Sequence, residues 1–146
     1  MINRFILNEV SYFGPGAREV LPKEITRLGL HKAFVATDKD LIKYGVADKV
    51  LSVLKSAGIP YEVFSEIKQN PTVFNVKTGV KAFAESGADF ILAIGGGSSI
   101  DTAKAIGIIT NNRNSAMLFR WKVWRIQKRN PFPSLPCLLL PELLPK

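Results

Sequence analysis

The sequence predicts an α/β domain built on a parallel sheet, and three observations carry that prediction. Short apolar runs at residues 33–37, 61–64 and 90–94 alternate with longer stretches of helical apolar spacing. Glycine follows the helical stretches at Gly29, Gly58 and Gly87, where chain-stopping residues belong. The last apolar run ends in Gly95, Gly96 and Gly97, and helix formers follow at once.

Taken in order, residues 4–10 read as a first strand and Phe13-Gly14-Pro15-Gly16 as a loop. Residues 17–28 carry Val20, Leu21, Ile25 and Leu28 at helical spacing. Residues 33–37 form a short buried strand, and Asp38 stands just past its end. One helix is expected over 41–57, from Val46, Val50, Leu51 and Leu54. Tyr61 to Phe64 is a strand, Asn70-Pro71-Thr72 a turn and helix start, 73–86 a helix, 90–94 a strand and 99–110 a helix. Strand–helix alternation of this kind makes βαβ units. Right-handed crossovers then give a Rossmann-like half with helices on both faces. Such sheets bind ligands beyond the carboxyl ends of their strands. Asp38, Asn70, Gly95, Gly96, Gly97 and Ser98 all follow strands at that edge, so they converge on one crevice.

Each of these residues has a functional and a structural reading. The glycines let a ligand approach the backbone, and the N–H groups of the following helix suit a phosphate. They equally suit a tight strand–helix turn. Ser98 or Ser99 is the expected N-cap. Asp38 can accept hydrogen bonds from ribose hydroxyls and repel a 2′-phosphate, or simply cap a helix. Asn70 by itself is an Asn-Pro turn. Asp101 and Lys104 are a solvated pair at i, i+3 without a catalytic role, and His31 is a surface residue ahead of a strand.

The string Gly-Gly-Gly-Ser-x-x-Asp-x-Ala-Lys, residues 95–104, is neither G-x-G-x-x-G nor a P-loop. It resembles the pyrophosphate loop of the iron-dependent (group III) alcohol dehydrogenases. So do Asn3-Arg4-Phe5-Ile6-Leu7-Asn8-Glu9, Phe13-Gly14-Pro15-Gly16-Ala17, Thr37-Asp38-Lys39, Asn70-Pro71-Thr72 and Ala105-Ile106-Gly107-Ile108-Ile109. The resemblance implies a dehydroquinate synthase-like N-terminal domain that binds NAD, with the family's helical C-terminal domain missing from this chain. Asp38 then falls at the cofactor-selecting position, which favours NAD(H), and Asn70 lines the adenine-ribose side. In the family, Fe²⁺ is held by an Asp and three His of the C-terminal domain. No residue here matches those ligands, so neither a metal site nor a catalytic residue is expected in this chain. Hydride transfer between a small alcohol and its aldehyde, in a homodimer, is the activity implied for the complete protein. The fragment alone is expected to be inactive. Glycerol dehydrogenases and dehydroquinate synthases share the fold and a glycine-rich loop, and are the neighbouring alternatives. A nucleotide-binding module without catalysis is another.

Composition divides the chain at Asn112. Residues 113–146 hold seven Lys/Arg and one acid, while residues 1–112 hold 13 basic and 11 acidic groups. The net charge of +8 therefore sits mostly in the tail, which argues against a nucleic-acid surface on the folded part. The tail has no glycine, both tryptophans and the single cysteine, Cys137, which excludes a disulfide framework. No run of 18 apolar residues and no signal-peptide pattern is present, so neither membrane nor export is expected and the cytoplasm is the default. The division is thus 1–112, an NAD-binding α/β domain, and 113–146, a poorly ordered tail outside the family pattern.

Three readings of the tail compete: a disordered basic tail with an acidic partner, a membrane-surface segment, or a shifted reading frame. The third is checkable with the genetic code. With one base restored after Asn112, Arg113-Asn114-Ser115 allows Pro-Glu-Phe. Residues 120–123 allow Ser-Leu-Glu-Gly, and residues 137–146 allow Val-Pro-Thr-Thr-Ala-Gly-Thr-Ala-Ala-Glu. These strings resemble the family's continuation and its next cofactor loop. The shifted frame also produces a stop codon after Lys146.

Overall fold

The computed structural model describes Tyr12, residues 14–68, residues 72–111 and the backbone of residues 137–141. The expected strand at 4–10 and the turn at Asn70 lie outside the described residues. A 3₁₀ turn, Ala17–Val20, leads into α1 (Leu21–Arg27). There follow β1 (Ala33–Ala36), α2 (Lys39–Lys43), α3 (Val46–Ser56), β2 (Tyr61–Phe64) and α4 (Val73–Ser86). The last elements are β3 (Phe90–Gly95), α5 (Gly97–Asn111) and β4 (Cys137–Pro141).

The sheet runs β2-β1-β3-β4, and every pairing is parallel. Its central strands, Ala33–Ala36 and Phe90–Gly95, are buried throughout. A parallel sheet covered on both faces requires such unbroken apolar strands. Side chains alternate between two cores. Phe34, Ala36, Ile91 and Ala93 pack with Val76 and Phe83 of α4 and Ala103 and Ile106 of α5. Ala33, Val35, Phe90, Leu92 and Ile94 pack with Leu21 and Ile25 of α1, Leu41 of α2, and Val50 and Leu54 of α3.

Two polar clusters fasten the frame away from the glycine turn. The Asp89 carboxylate accepts the backbone N–H groups of Lys32 (2.8 Å) and His31 (2.9 Å), joining the entries of β1 and β3. Burial works against its charge, but these N–H groups and the His31 ring more than offset that and hold the carboxyl below its ordinary range. Glu24 of α1, largely buried, accepts from the Tyr12 hydroxyl at 2.8 Å and pairs with Arg27 at 2.8 Å. The Tyr12 hydrogen bond and then the Arg27 one lower its carboxyl.

Two expectations are corrected. The single helix at 41–57 is two, because Gly45 takes φ 69° between α2 and α3. That left-handed conformation ends one helix and starts the next. Helix α5 begins at Gly97, so Ser98 and Ser99 lie within its first turn and do not cap it. Within the tail, Cys137–Pro141 forms a strand. This short apolar backbone run adds to the edge of β3, in register from Ile91↔Cys137 to Gly95↔Pro141.

Candidate functional site

The carboxyl ends of β1 and β3 lie side by side, with Ala36 level with Ala93. Two residues beyond Ala36 stands Asp38, and two residues beyond Ala93 stands Gly95. The sheet therefore brings the acidic residue and the glycine turn to one edge. Asn70, the third member of the expected crevice, lies outside the described residues.

Asp38 is half-buried and caps α2, its Oδ1 accepting the Leu41 N–H at 2.9 Å. The structural reading of Asp38 is thus correct. It does not exhaust the residue: among the described residues Oδ2 has no such bond, and one carboxylate can cap a helix and accept from a ligand together.

Gly95 has φ +135°, outside the range open to other residues. A Cβ there would stand 2.8 Å from Ser99 Oγ and 2.9 Å from Leu41 Cδ1. Gly95 is therefore a packing and backbone necessity. Gly96 and Gly97 differ. Both are exposed, and among the described residues a Cβ on either would meet nothing within 4 Å. The fold does not need their smallness, so the open space over them is free for an outside group.

The first closing bond of α5 is Ile100 N–H to the Gly96 carbonyl at 3.1 Å. The N–H groups of Gly97, Ser98 and Ser99 precede it and have no partner within the helix. Together with the dipole of a 15-residue helix they favour an anion at the turn. This fits the phosphates of a dinucleotide. Beside the end of β2 is a half-open cavity of about 290 Å³, lined by Lys39, residues 65–68 and the start of α4. It is large enough for part of such a ligand and is lined by Lys39, the residue after Asp38.

Two buried hydroxyls escaped the sequence reading. Thr37 Oγ1 and Ser99 Oγ have no hydrogen-bond partner among the described residues, and their residues are 0% and 1% exposed. Burial of a hydroxyl without a partner is not legible in sequence. Asp101 and Lys104 are exposed on α5, and among the described residues His31 bonds only to Asp89, as surface residues do. Among the described residues no group of three or more His, Cys, Asp or Glu side chains comes together, so they offer no place for iron.

Parallel strand order, two-sided helix cover and a glycine turn at the strand ends define the class, a Rossmann-like α/β domain. Sequence comparison narrows the class to a family. The profile of the iron-containing alcohol dehydrogenases matches residues 8–143, and the chain belongs to that family. It is 43% identical over 143 residues to lactaldehyde reductase of Escherichia coli K12, covering 97% of this chain and 36% of that enzyme. It is similar in structure to an alcohol dehydrogenase from Oenococcus oeni (TM-score 0.78, 30% identity, 94% of this chain and 36% of that one). A sulfoacetaldehyde reductase from Bifidobacterium kashiwanohense, solved in complex with NAD⁺, gives a TM-score of 0.71 at 25% identity, over 88% of this chain and 32% of that one. The chain thus spans about a third of the relatives it matches, and corresponds to their N-terminal part. The matched region runs past the composition break at Asn112.

Proposed function

We propose that this chain is the NAD(H)-binding part of an iron-dependent oxidoreductase that interconverts a small alcohol and its aldehyde, with 1,2-propanediol and lactaldehyde as the pair. The observation that carries the cofactor reading is the contrast within the glycine triplet. Gly95 is required by packing, whereas Gly96 and Gly97 open onto space that no side chain of the described residues needs. Glycine at those two positions has its use in letting a phosphate reach the N-terminus of α5.

In this reading Gly96, Gly97 and Ser98 hold the pyrophosphate through backbone N–H groups. Asp38 holds the adenosine ribose through its free oxygen, and Asn70 lines the same side. A 2′-phosphate would bring a second negative charge against Asp38, so NAD(H) is preferred over NADP(H). The bound nicotinamide would supply hydride transfer. The described residues bind and orient it and take no part in proton or metal chemistry. The identity of the substrate pair rests on similarity to lactaldehyde reductase, and assembly as a homodimer on the family resemblance alone.

The test has two parts. Calorimetric titration of the purified chain with NAD⁺ and NADP⁺ should detect weak binding of the first and weaker binding of the second. The full-length protein, with its frame restored after Asn112 and loaded with Fe²⁺, should form NADH from 1,2-propanediol. Absence of NAD⁺ binding to both proteins would overturn the cofactor reading. NAD⁺ binding without turnover of 1,2-propanediol would overturn the substrate alone.

A further inference from the structure

The side chain of Asn75 has two ends, and helix α4 explains only one of them. The residue is 7% exposed and takes the third position of the helix. Its Oδ1 accepts the Thr72 N–H at 3.2 Å and the Thr72 hydroxyl at 2.6 Å, which completes the reciprocal cap. A carboxylate would serve the cap as well and would suit the positive end of the helix dipole better. The amide Nδ2 has no part in the cap. It donates to the Glu66 carbonyl at 3.3 Å, nine residues back in the chain.

That second bond falls beside Asp38. Strand β2 pairs with β1 up to Ala36↔Phe64, and the Thr37 N–H donates to the Phe64 carbonyl at 3.0 Å. Residues 65–68 therefore leave the sheet next to the point where Asp38 does. They wall the cavity of about 290 Å³ together with Lys39, Phe74 and Asn75 itself. A wall held from within by a buried amide is in place before a ligand arrives, so binding is spared the cost of ordering it.

We propose that Asn75 is a positioning residue for the nucleoside end of the dinucleotide. Its amide, acting through the Glu66 carbonyl, sets the cavity wall that stands beside Asp38. The inference rests on the nucleotide reading above and deepens it.

The substitution Asn75→Asp tests this in the full chain, with Asn75→Gln as the conservative variant. Aspartate keeps an acceptor for Thr72 but turns a carboxylate oxygen toward the Glu66 carbonyl. Glutamine keeps both an acceptor and a donor. Each protein is melted by circular dichroism and titrated with NAD⁺ by calorimetry, at low salt and at about 0.5 M salt. Asn75→Asp should melt close to the parent, because the cap survives, and bind NAD⁺ about tenfold more weakly at both salt concentrations. Asn75→Gln should recover part of that loss. If Asn75→Asp binds NAD⁺ as the parent does, Asn75 is a cap only, and the proposal fails while the nucleotide reading stands. A loss that disappears at high salt belongs to the added charge, and a loss accompanied by melting far below the parent belongs to the fold. Either overturns the proposal, as does an Asn75→Gln protein that recovers nothing. If the parent itself does not bind NAD⁺, the nucleotide reading fails and takes the proposal with it.

Discussion

Gly95→Ala and Gly96→Ala should separate what the glycine turn does for the fold from what it does for a ligand. At Gly95 the backbone has φ +135°, which costs a non-glycine residue about 1–3 kcal/mol. The added methyl would also stand 2.8 Å from Ser99 Oγ and 2.9 Å from Leu41 Cδ1, both too close. Ser99 is buried in the helix and Leu41 belongs to the second core, so neither can swing freely away. Overpacking of this kind costs a further ~1–3 kcal/mol. The sum, about 2–6 kcal/mol, is a large part of the ~5–15 kcal/mol of a typical domain. At Gly96 a Cβ meets nothing within 4 Å and the backbone is not left-handed, so stability should change by less than about 0.5 kcal/mol. The assay is urea unfolding followed by circular dichroism, with NAD⁺ titration alongside. Gly95→Ala should unfold at much lower urea, whereas Gly96→Ala should unfold like the parent and bind NAD⁺ at least tenfold more weakly. Equal unfolding midpoints for the two variants would refute the division of roles.

Asp38→Asn should keep the cap on α2 but remove the charge, and Asp38→Gly should remove both. Each should raise affinity for NADP(H) by roughly ten- to a hundredfold relative to NAD(H), because like-charge contacts cost about 1–3 kcal/mol; an unchanged preference in binding titrations would leave Asp38 a helix cap only. Asp89→Asn should lower stability by about 1–2 kcal/mol at neutral pH, as the carboxylate bonds to His31 and Lys32 are weakened. The folded carboxyl lies below its ordinary value, so its contribution is complete above the unfolded-state value and is lost as pH falls through the folded one. Melting curves of parent and variant should therefore converge on acidification; a gap that widens toward low pH would contradict the assignment.

What the sequence disclosed depended on how local the physics was. The three strands β1, β2 and β3 fall within a residue of expectation; β2 is buried only at Phe64, whereas for β1 and β3 unbroken burial leaves a direct mark in composition. The glycine turn was legible for the same reason. The break at Gly45 was not, since Val46, Val50 and Leu54 continue the apolar stripe of Leu41 across it. A glycine following Lys43-Tyr44 was the available signal. The Ser98 or Ser99 cap was misread because the chain enters α5 directly from a glycine, which needs no side-chain cap. Tyr12 carried no signal at all, and its bond to Glu24 arises only when the loop folds back on α1. The Asp89 clamp joins residues 57 and 58 positions apart, beyond any local pattern.

The segment after Asn112 poses the sharpest test. Its charge, its lack of glycine and its paired tryptophans set it apart from the residues before it. The family match nevertheless runs through residue 143, and Cys137–Pro141 lies beside β3 as a parallel strand. A shifted frame is compatible with both facts, because an apolar run ending in proline, such as Cys137-Leu138-Leu139-Leu140-Pro141, can align with a buried strand whatever frame encodes it. We propose that the same codons, read with one base restored, give Val-Pro-Thr-Thr-Ala-Gly, a turn sequence rich in small residues instead of a leucine run. That turn would approach the glycine turn from β4, which pairs with Gly95 at its last position. The experiment is to sequence the encoding DNA and its downstream continuation. One inserted base after Asn112 should open a frame that passes codon 146 and continues for roughly 250 further codons, as 143 residues being 36% of lactaldehyde reductase implies. That frame should contain the Asp and three His that the described residues do not provide. If the restored frame closes within a few codons, or runs on without those four residues, the tail is a product in its own frame. The composition break at Asn112 would then mark a true boundary of this chain.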